Sequence, residues 1–239
     1  MIYVKLLGFG LGLTIIISVF SALGVIFQVD DNGMIIFQIF AFLIAAVILT
    51  LYMKKKDPTL KQFGFEIKRV NKTFFIFIGL IVMIQPLVLG IDFSLSFSTL
   101  FLILFQMILV GYTEETLFRG VFLYHLQNKS PKSFLLFSSI VFGLLHVASG
   151  LNPSESFIFV ILQIVNALLF GLVIAFLFYY TRTIYLVIAF HTLFNIFASI
   201  VRESSFEKSL LAVILLVVTY IIALIYFNYS SKRASKIVV

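Results

Sequence analysis

Three short clusters in this chain place chemically capable side chains at helical spacing. They are Glu114-Glu115-Thr116-Leu117-Phe118-Arg119, Phe142-Gly143-Leu144-Leu145-His146, and His191-Thr192-Leu193-Phe194-Asn195. Glu115 and Arg119 are four apart, so a helix puts them on one face, where they can pair. Glu114 is turned by about 100° from its neighbour and is free to point elsewhere. His191 and Asn195 are also four apart and can project into one cavity, and His146 follows Phe142 by the same step. A carboxylate beside a histidine in a low-dielectric cavity can hold and deprotonate a water. The oxyanion that forms on an attacked amide needs donors already aimed at it, which a His and an Asn can supply. Glu114 with His146 suits the first task, and His191 with Asn195 the second.

These residues lie in segments that should span a membrane. The chain is 62% hydrophobic and only 11% charged, with a mean hydropathy of +1.18. A soluble domain is about 45–50% apolar and about 25% charged, so this chain has too little polar surface to face water on all sides. Apolar runs of spanning length cover residues 6–28, 34–53, 73–91, 98–127, 133–149, 157–181, 183–201 and 210–229. At about 20 residues per span, that predicts an all-α polytopic bundle of about eight transmembrane helices with a central polar cavity. Residues 1–239 then form a single integral membrane domain, and residues 98–201 its catalytic core.

An ionised group inside a bilayer is costly, so Glu114, Glu115 and Arg119 require an explanation. Depth supplies one. At about 1.5 Å per residue, Glu114 and His146 fall about 20 Å from the inner ends of their helices, and His191 and Asn195 about 12 and 18 Å. His125, the remaining histidine, falls at an inner helix end and reads as interfacial. Ser138, Ser139 and Ser199 are in spans but read as ordinary helix-contact hydroxyls. Zero cysteines exclude disulfides, thiolate ligands and a cysteine nucleophile.

The net charge of +7 sorts by topology. With the N-terminus inside, the inner connections hold Lys5, Lys54, Lys55, Lys56, Lys61, Lys68, Arg69, Lys72, Lys129, Lys132, Arg182, Lys232, Arg233 and Lys236, while the outer ones hold only Arg202 and Lys208. The outer loops keep Asp30, Asp31, Asp92, Glu155, Glu203 and Glu207. This predicts a multi-pass cell-membrane protein with both termini cytoplasmic. The basic balance is an orientation signal, not a nucleic-acid footprint. The loop from Lys54 to Lys72 is the one sizeable soluble connection; it reads chiefly as a topology determinant, with attraction to anionic headgroups or an acidic substrate as the functional alternative. The Ile, Phe and Lys richness points to a low-GC bacterium.

In order along the chain, Glu114-Glu115 to Arg119, Phe142 to His146, and His191 to Asn195 fit the pattern EExxxR, FxxxH, HxxxN. At these residues the sequence resembles the CAAX protease and bacteriocin-processing family, also called Abi, which includes the type II CAAX prenyl endopeptidases. The resemblance covers about residues 98–201. It implies an intramembrane glutamate protease without a covalent intermediate, in which Glu114 is the general base, His146 its partner, and His191 and Asn195 the oxyanion stabilisers. Glu115, Arg119 and Phe142 would be supporting residues. The implied substrate is a membrane-associated peptide or protein cut from the cytoplasmic side, in peptide maturation or bacteriocin self-immunity. No cofactor is expected; a zinc site at Glu114, His146 and His191 is the weaker alternative, since no HExxH pair puts two ligands on one face. A non-catalytic binding, immunity or scaffold protein using the same cavity is the competing reading. A proton-coupled transporter ranks below both, because no internal repeat is detectable.

Overall fold

The structure, a computed structural model, describes residues 1–151 and 156–237. Glu155 lies outside the described residues, as do the side chains of Lys232, Arg233 and Lys236. The long helices are α1 (Ile2–Ile26), α2 (Asp31–Lys56), α3 (Lys72–Leu89) and α4 (Phe97–Glu115), which continues through a π-helical turn (Thr116–Val121) into α5 (Phe122–Leu126). After these come α6 (Pro131–Leu145), a 3-10 stretch (His146–Leu151), α7 (Phe157–Thr181), α8 (Ile184–Ser199) and α9 (Phe206–Ile237). Side-chain oxygens cap several starts. Asp30 accepts from Gly33 N at 2.8 Å, Ser96 from Thr99 N at 3.1 Å, and Ser130 from Ser133 N at 3.3 Å with Pro131 in the first turn.

Among the described residues, seven helical segments are long and apolar enough to cross a membrane, counting 97–126 as one continuous span. The fold is therefore a polytopic helical bundle. The 183–201 segment departs from the expected length. Its helix α8 has 16 residues, about 24 Å, and falls short of the roughly 30 Å hydrocarbon core.

Packing puts α4 between α2 and α8, and α7 between α6 and α9. Apolar burial gives little drive between helices in lipid, so small residues that let backbones approach decide which faces meet. Gly111 is the clearest case: a Cβ there would collide with the Thr192 hydroxyl and stand 3.1 Å from Ile188 O, so α4 and α8 touch backbone to backbone. Gly143 brings α6 equally close to Leu168 of α7. Large side chains such as Val47, Ile48, Leu51 and Ile225 face outward, as lipid-exposed residues should. The interior is filled by phenylalanines, including Phe122, Phe134, Phe142, Phe170, Phe190 and Phe194.

The connection between α2 and α3 is more than a soluble tether. Asp57 accepts from Thr59 N and Oγ1 at 3.0 and 2.7 Å and from Gln62 N at 2.9 Å, folding the chain into a 3-10 turn (Lys61–Phe63). These bonds hold the Asp57 carboxyl below the usual aspartate range, the Gln62 amide contributing most. Phe63 is fully buried against the ring of Tyr124 and beneath Gly120 of the π turn. Gly64 takes φ +91°, where a Cβ would in any case strike the Phe178 ring, and its carbonyl accepts from Ile184 N at 2.8 Å.

Candidate active site

Glu114 and Glu115 end the α-helical part of α4, immediately before the chain widens into the π turn. Such turns interrupt helices mostly at functional sites. Every residue of the turn is buried, and Arg119 is fully buried within it. Arg119 Nε lies 3.1 Å from Glu115 Oε2 as an ion pair, so the pairing that the spacing allows is made across the wider turn. Arg119 Nη2 donates to Gly171 O at 3.2 Å, and the guanidinium packs 4.5 Å from the Phe142 ring centroid. Nη1 has no hydrogen-bond partner among the described residues. The charge of Arg119 is therefore met by one carboxylate, one carbonyl and one aromatic face.

The other oxygen of Glu115 is engaged by α8. His191 Nδ1 stands 2.6 Å from Glu115 Oε1, and its Nε2 stands 3.7 Å from Glu114 Oε2. His191 thus faces both glutamates. Glu115 is fully buried, whereas the Glu114 side chain keeps 14% of its surface open. Phe170 of α7 closes one side, its ring 5.3 Å from His191 and stacked at 4.4 Å on Phe194. Thr192 Oγ1 donates to Met107 O at 3.2 Å, a second tie between α8 and α4.

His146 stands near the C-terminal end of its apolar run, 133–149. It is the residue at which α6 ends and the 3-10 stretch begins. Its Nδ1 lies 2.8 Å from Phe142 O, with its ring 4.9 Å from that of Phe142, which in turn lies 5.8 Å from His191. Phe142 therefore separates the two histidines. Asn195 is half-buried one turn beyond His191, and its carboxamide makes no hydrogen bond among the described residues.

The hydrogen bonds fix both ring tautomers. A carbonyl and an ionised carboxylate can only accept, so His146 and His191 each carry their proton on Nδ1 when neutral and leave Nε2 bare. The bare Nε2 of His191 and the Glu114 carboxylate, 3.7 Å apart, face one another as acceptors. The direct neighbour of Glu114 is His191, where the sequence reading pairs it with His146; nothing in the residue spacing signals that Glu115 rather than solvent takes Nδ1. Phe170, the Gly171 carbonyl and Thr192 also escape the sequence reading, because no spacing rule joins α7 to α4. Gly111 was legible in part, being four residues before Glu115 and on the same face.

The remaining polar residues are structural. Ser138 Oγ donates to Phe118 O at 2.7 Å, Ser139 Oγ to Leu135 O at 2.6 Å and Ser199 Oγ to Asn195 O at 2.8 Å, so no span serine sits beside a base. His125 shares a 2.6 Å hydrogen bond with Tyr52 at the far end of the bundle. Among the described residues no group of three or more His, Cys, Asp or Glu side chains is arranged to hold a metal ion.

Compared with known families, residues 96–197 match the family model described as Type II CAAX prenyl endopeptidase Rce1-like. The matched stretch is somewhat less than half the chain and contains every residue of the site. No curated protein and no solved structure matches the chain.

Proposed function

We propose that this chain is a metal-independent intramembrane endopeptidase in which Glu114 activates the hydrolytic water, a reading supported by the match of residues 96–197 to the Rce1-like family model. The observation that carries the reading is the convergence of Glu114, Glu115 and His191 from two helices, with Glu114 alone among the acids left partly open. A water about 2.8 Å from both Glu114 Oε2 and His191 Nε2 closes a triangle on their 3.7 Å separation. Glu114 takes one proton from this water as its oxygen bonds to the scissile carbonyl carbon. The same proton then passes to the leaving nitrogen as the C–N bond breaks, giving a carboxylic acid and an amine with no covalent intermediate.

The carbonyl oxygen becomes an oxyanion during attack. Asn195 can donate to it directly, since its carboxamide is uncommitted. His191 can donate only when its Nε2 is also protonated, and the two carboxylates that flank the ring are placed to balance that charge. Glu115 and Arg119 hold His191 in register. His146, with its bare Nε2, is the partner that accepts a proton or orients the water from α6.

The substrate would be a membrane-associated peptide or protein segment approached from the cytoplasmic side, in peptide maturation or bacteriocin self-immunity. The test compares peptides released by membranes carrying the wild-type chain and Glu114→Ala, by mass spectrometry, with and without a chelator. Cleavage products that vanish only in the variant support the reading. Retained turnover in the variant overturns the mechanism, and loss on chelation overturns its metal independence.

A further inference from the structure

Away from the glutamates, the folded loop between α2 and α3 builds a second recess. A cavity of about 300 Å³ opens between Lys61, Gln62, Gly64 and Lys68 of the loop, Leu123 of α5, and Phe178 and Arg182 at the end of α7. Phe178 and Leu123 give it an apolar part, and three cations line it, two from the loop and Arg182 from the end of α7. This volume is at the lower end of small-ligand sites.

Each cation has limited compensation. Lys68 pairs with Glu66 at 3.1 Å, both exposed. Asp57, whose field acts on Lys61, already spends both carboxylate oxygens on the loop's own amides and the Thr59 hydroxyl. Arg182 is held by packing against an aromatic face, its guanidinium 4.6 Å from the Tyr179 ring centroid. The backbone of Arg182 caps α7 at φ +55°, a left-handed position that glycine would fill without strain. A long cationic side chain kept at a strained cap, over a cavity already edged by two lysines, points to an anion.

We infer that this recess is a binding site for a phosphate-bearing anion, held by Arg182, Lys61 and Lys68. Arginine's planar fork meets phosphate bidentately and the lysines add point charges. The apolar floor suits the glycerol and first methylenes of a phospholipid, and the recess is at the end of the bundle that the charge pattern assigns to the cytoplasmic leaflet. Occupancy would fasten Gly64 and its neighbour Phe63 beneath Gly120 of the π turn.

The experiment uses the full chain in nanodiscs of phosphatidylcholine with added phosphatidylglycerol, reading retained lipid by native mass spectrometry. The wild type is expected to keep phosphatidylglycerol, and Lys61→Gln, Lys68→Gln and Arg182→Gln each to weaken retention about fivefold. A Lys54→Gln/Lys55→Gln/Lys56→Gln variant removes as much charge as the three together and should retain the lipid. Equal loss in that control, or full retention in the triple recess variant, overturns the site. Inorganic phosphate identifies the source: protection of the chain against heat by phosphate without retained lipid assigns the recess to a free anion, and retention that phosphate does not displace assigns it to the headgroup. Arg182→Lys, which keeps charge and removes the fork, keeps the proposal testable should Arg182→Gln unfold, and is expected to lose part of the retention.

Discussion

His191 Nδ1 and Glu115 Oε1 are 2.6 Å apart, although 76 residues separate them in the chain. This contact joins α4 to α8 and sets which nitrogen of His191 faces Glu114. Because Glu115 also holds the buried Arg119, the two neighbouring glutamates differ: both oxygens of Glu115 are engaged, and Glu114 is left for the proposed reaction.

The first expectation concerns that division. Glu114→Gln removes the base while leaving the ion pair and the tautomer intact. Thermal unfolding in detergent should be close to wild type, and turnover should fall by about 10²–10⁴-fold. Unchanged turnover would remove Glu114 from the reaction.

Glu115→Gln strands Arg119 as a buried unpaired charge. A loss of about 3–5 kcal/mol of stability is expected, measured by denaturant unfolding in micelles. The double variant Glu115→Gln/Arg119→Met should recover much of that stability while remaining poorly active, since His191 has lost its charged acceptor. Recovery of full activity would show that Glu115 matters only as the partner of Arg119.

How much of this was legible in the residues differs from feature to feature. The long spans followed from hydropathy alone, and the Glu115–Arg119 pair from its spacing. The lateral contacts did not: a π turn leaves no mark in residue type, and the approach of Phe170 to His191 depends on how α7 packs against its neighbours. The 133–149 run matches the 131–150 span, but hydropathy does not register that its backbone tightens from α-helix to a 3-10 turn at His146.

Gly111→Ala tests the close approach of α4 and α8. The added methyl meets the Thr192 hydroxyl and Ile188 O, so the helices must part. Overpacking of about 1–3 kcal/mol is expected, with activity falling as well because the Glu115–His191 contact lengthens. Normal activity with lowered stability would show that the site tolerates the separation.

Asn195→Ala should lower kcat by about 10²–10³-fold with little change in KM, because the carboxamide has no hydrogen bond among the described residues to lose. A matched fall in stability would instead assign Asn195 to packing.

The Asp57 turn carries a pH dependence whose sign is fixed. Its carboxyl is depressed in the folded chain, so its stabilising bonds are fully present above the ordinary aspartate value and are lost as pH falls through the lower, folded value. Pepsin nicking near Phe63 should therefore rise in the wild type only on strong acidification. In Asp57→Asn it should be raised throughout pepsin's working range; identical profiles would dismiss Asp57 as the anchor.

The shortness of α8 bears on how the proposed hydrolysis would obtain its water. One end of α8 is level with α3, where Asp92 N donates to Ile200 O at 2.8 Å and Arg202 N to Gly90 O at 3.1 Å. The missing length therefore falls at the other end, where the 57–64 loop fills the gap and bonds to Ile184. Irregular backbone persists at such a depth only if protein or water surrounds it. On that side the bundle is therefore closed by a bonded loop and not by a helix, and for the proposed hydrolysis this loop is the non-helical boundary nearest the start of α8.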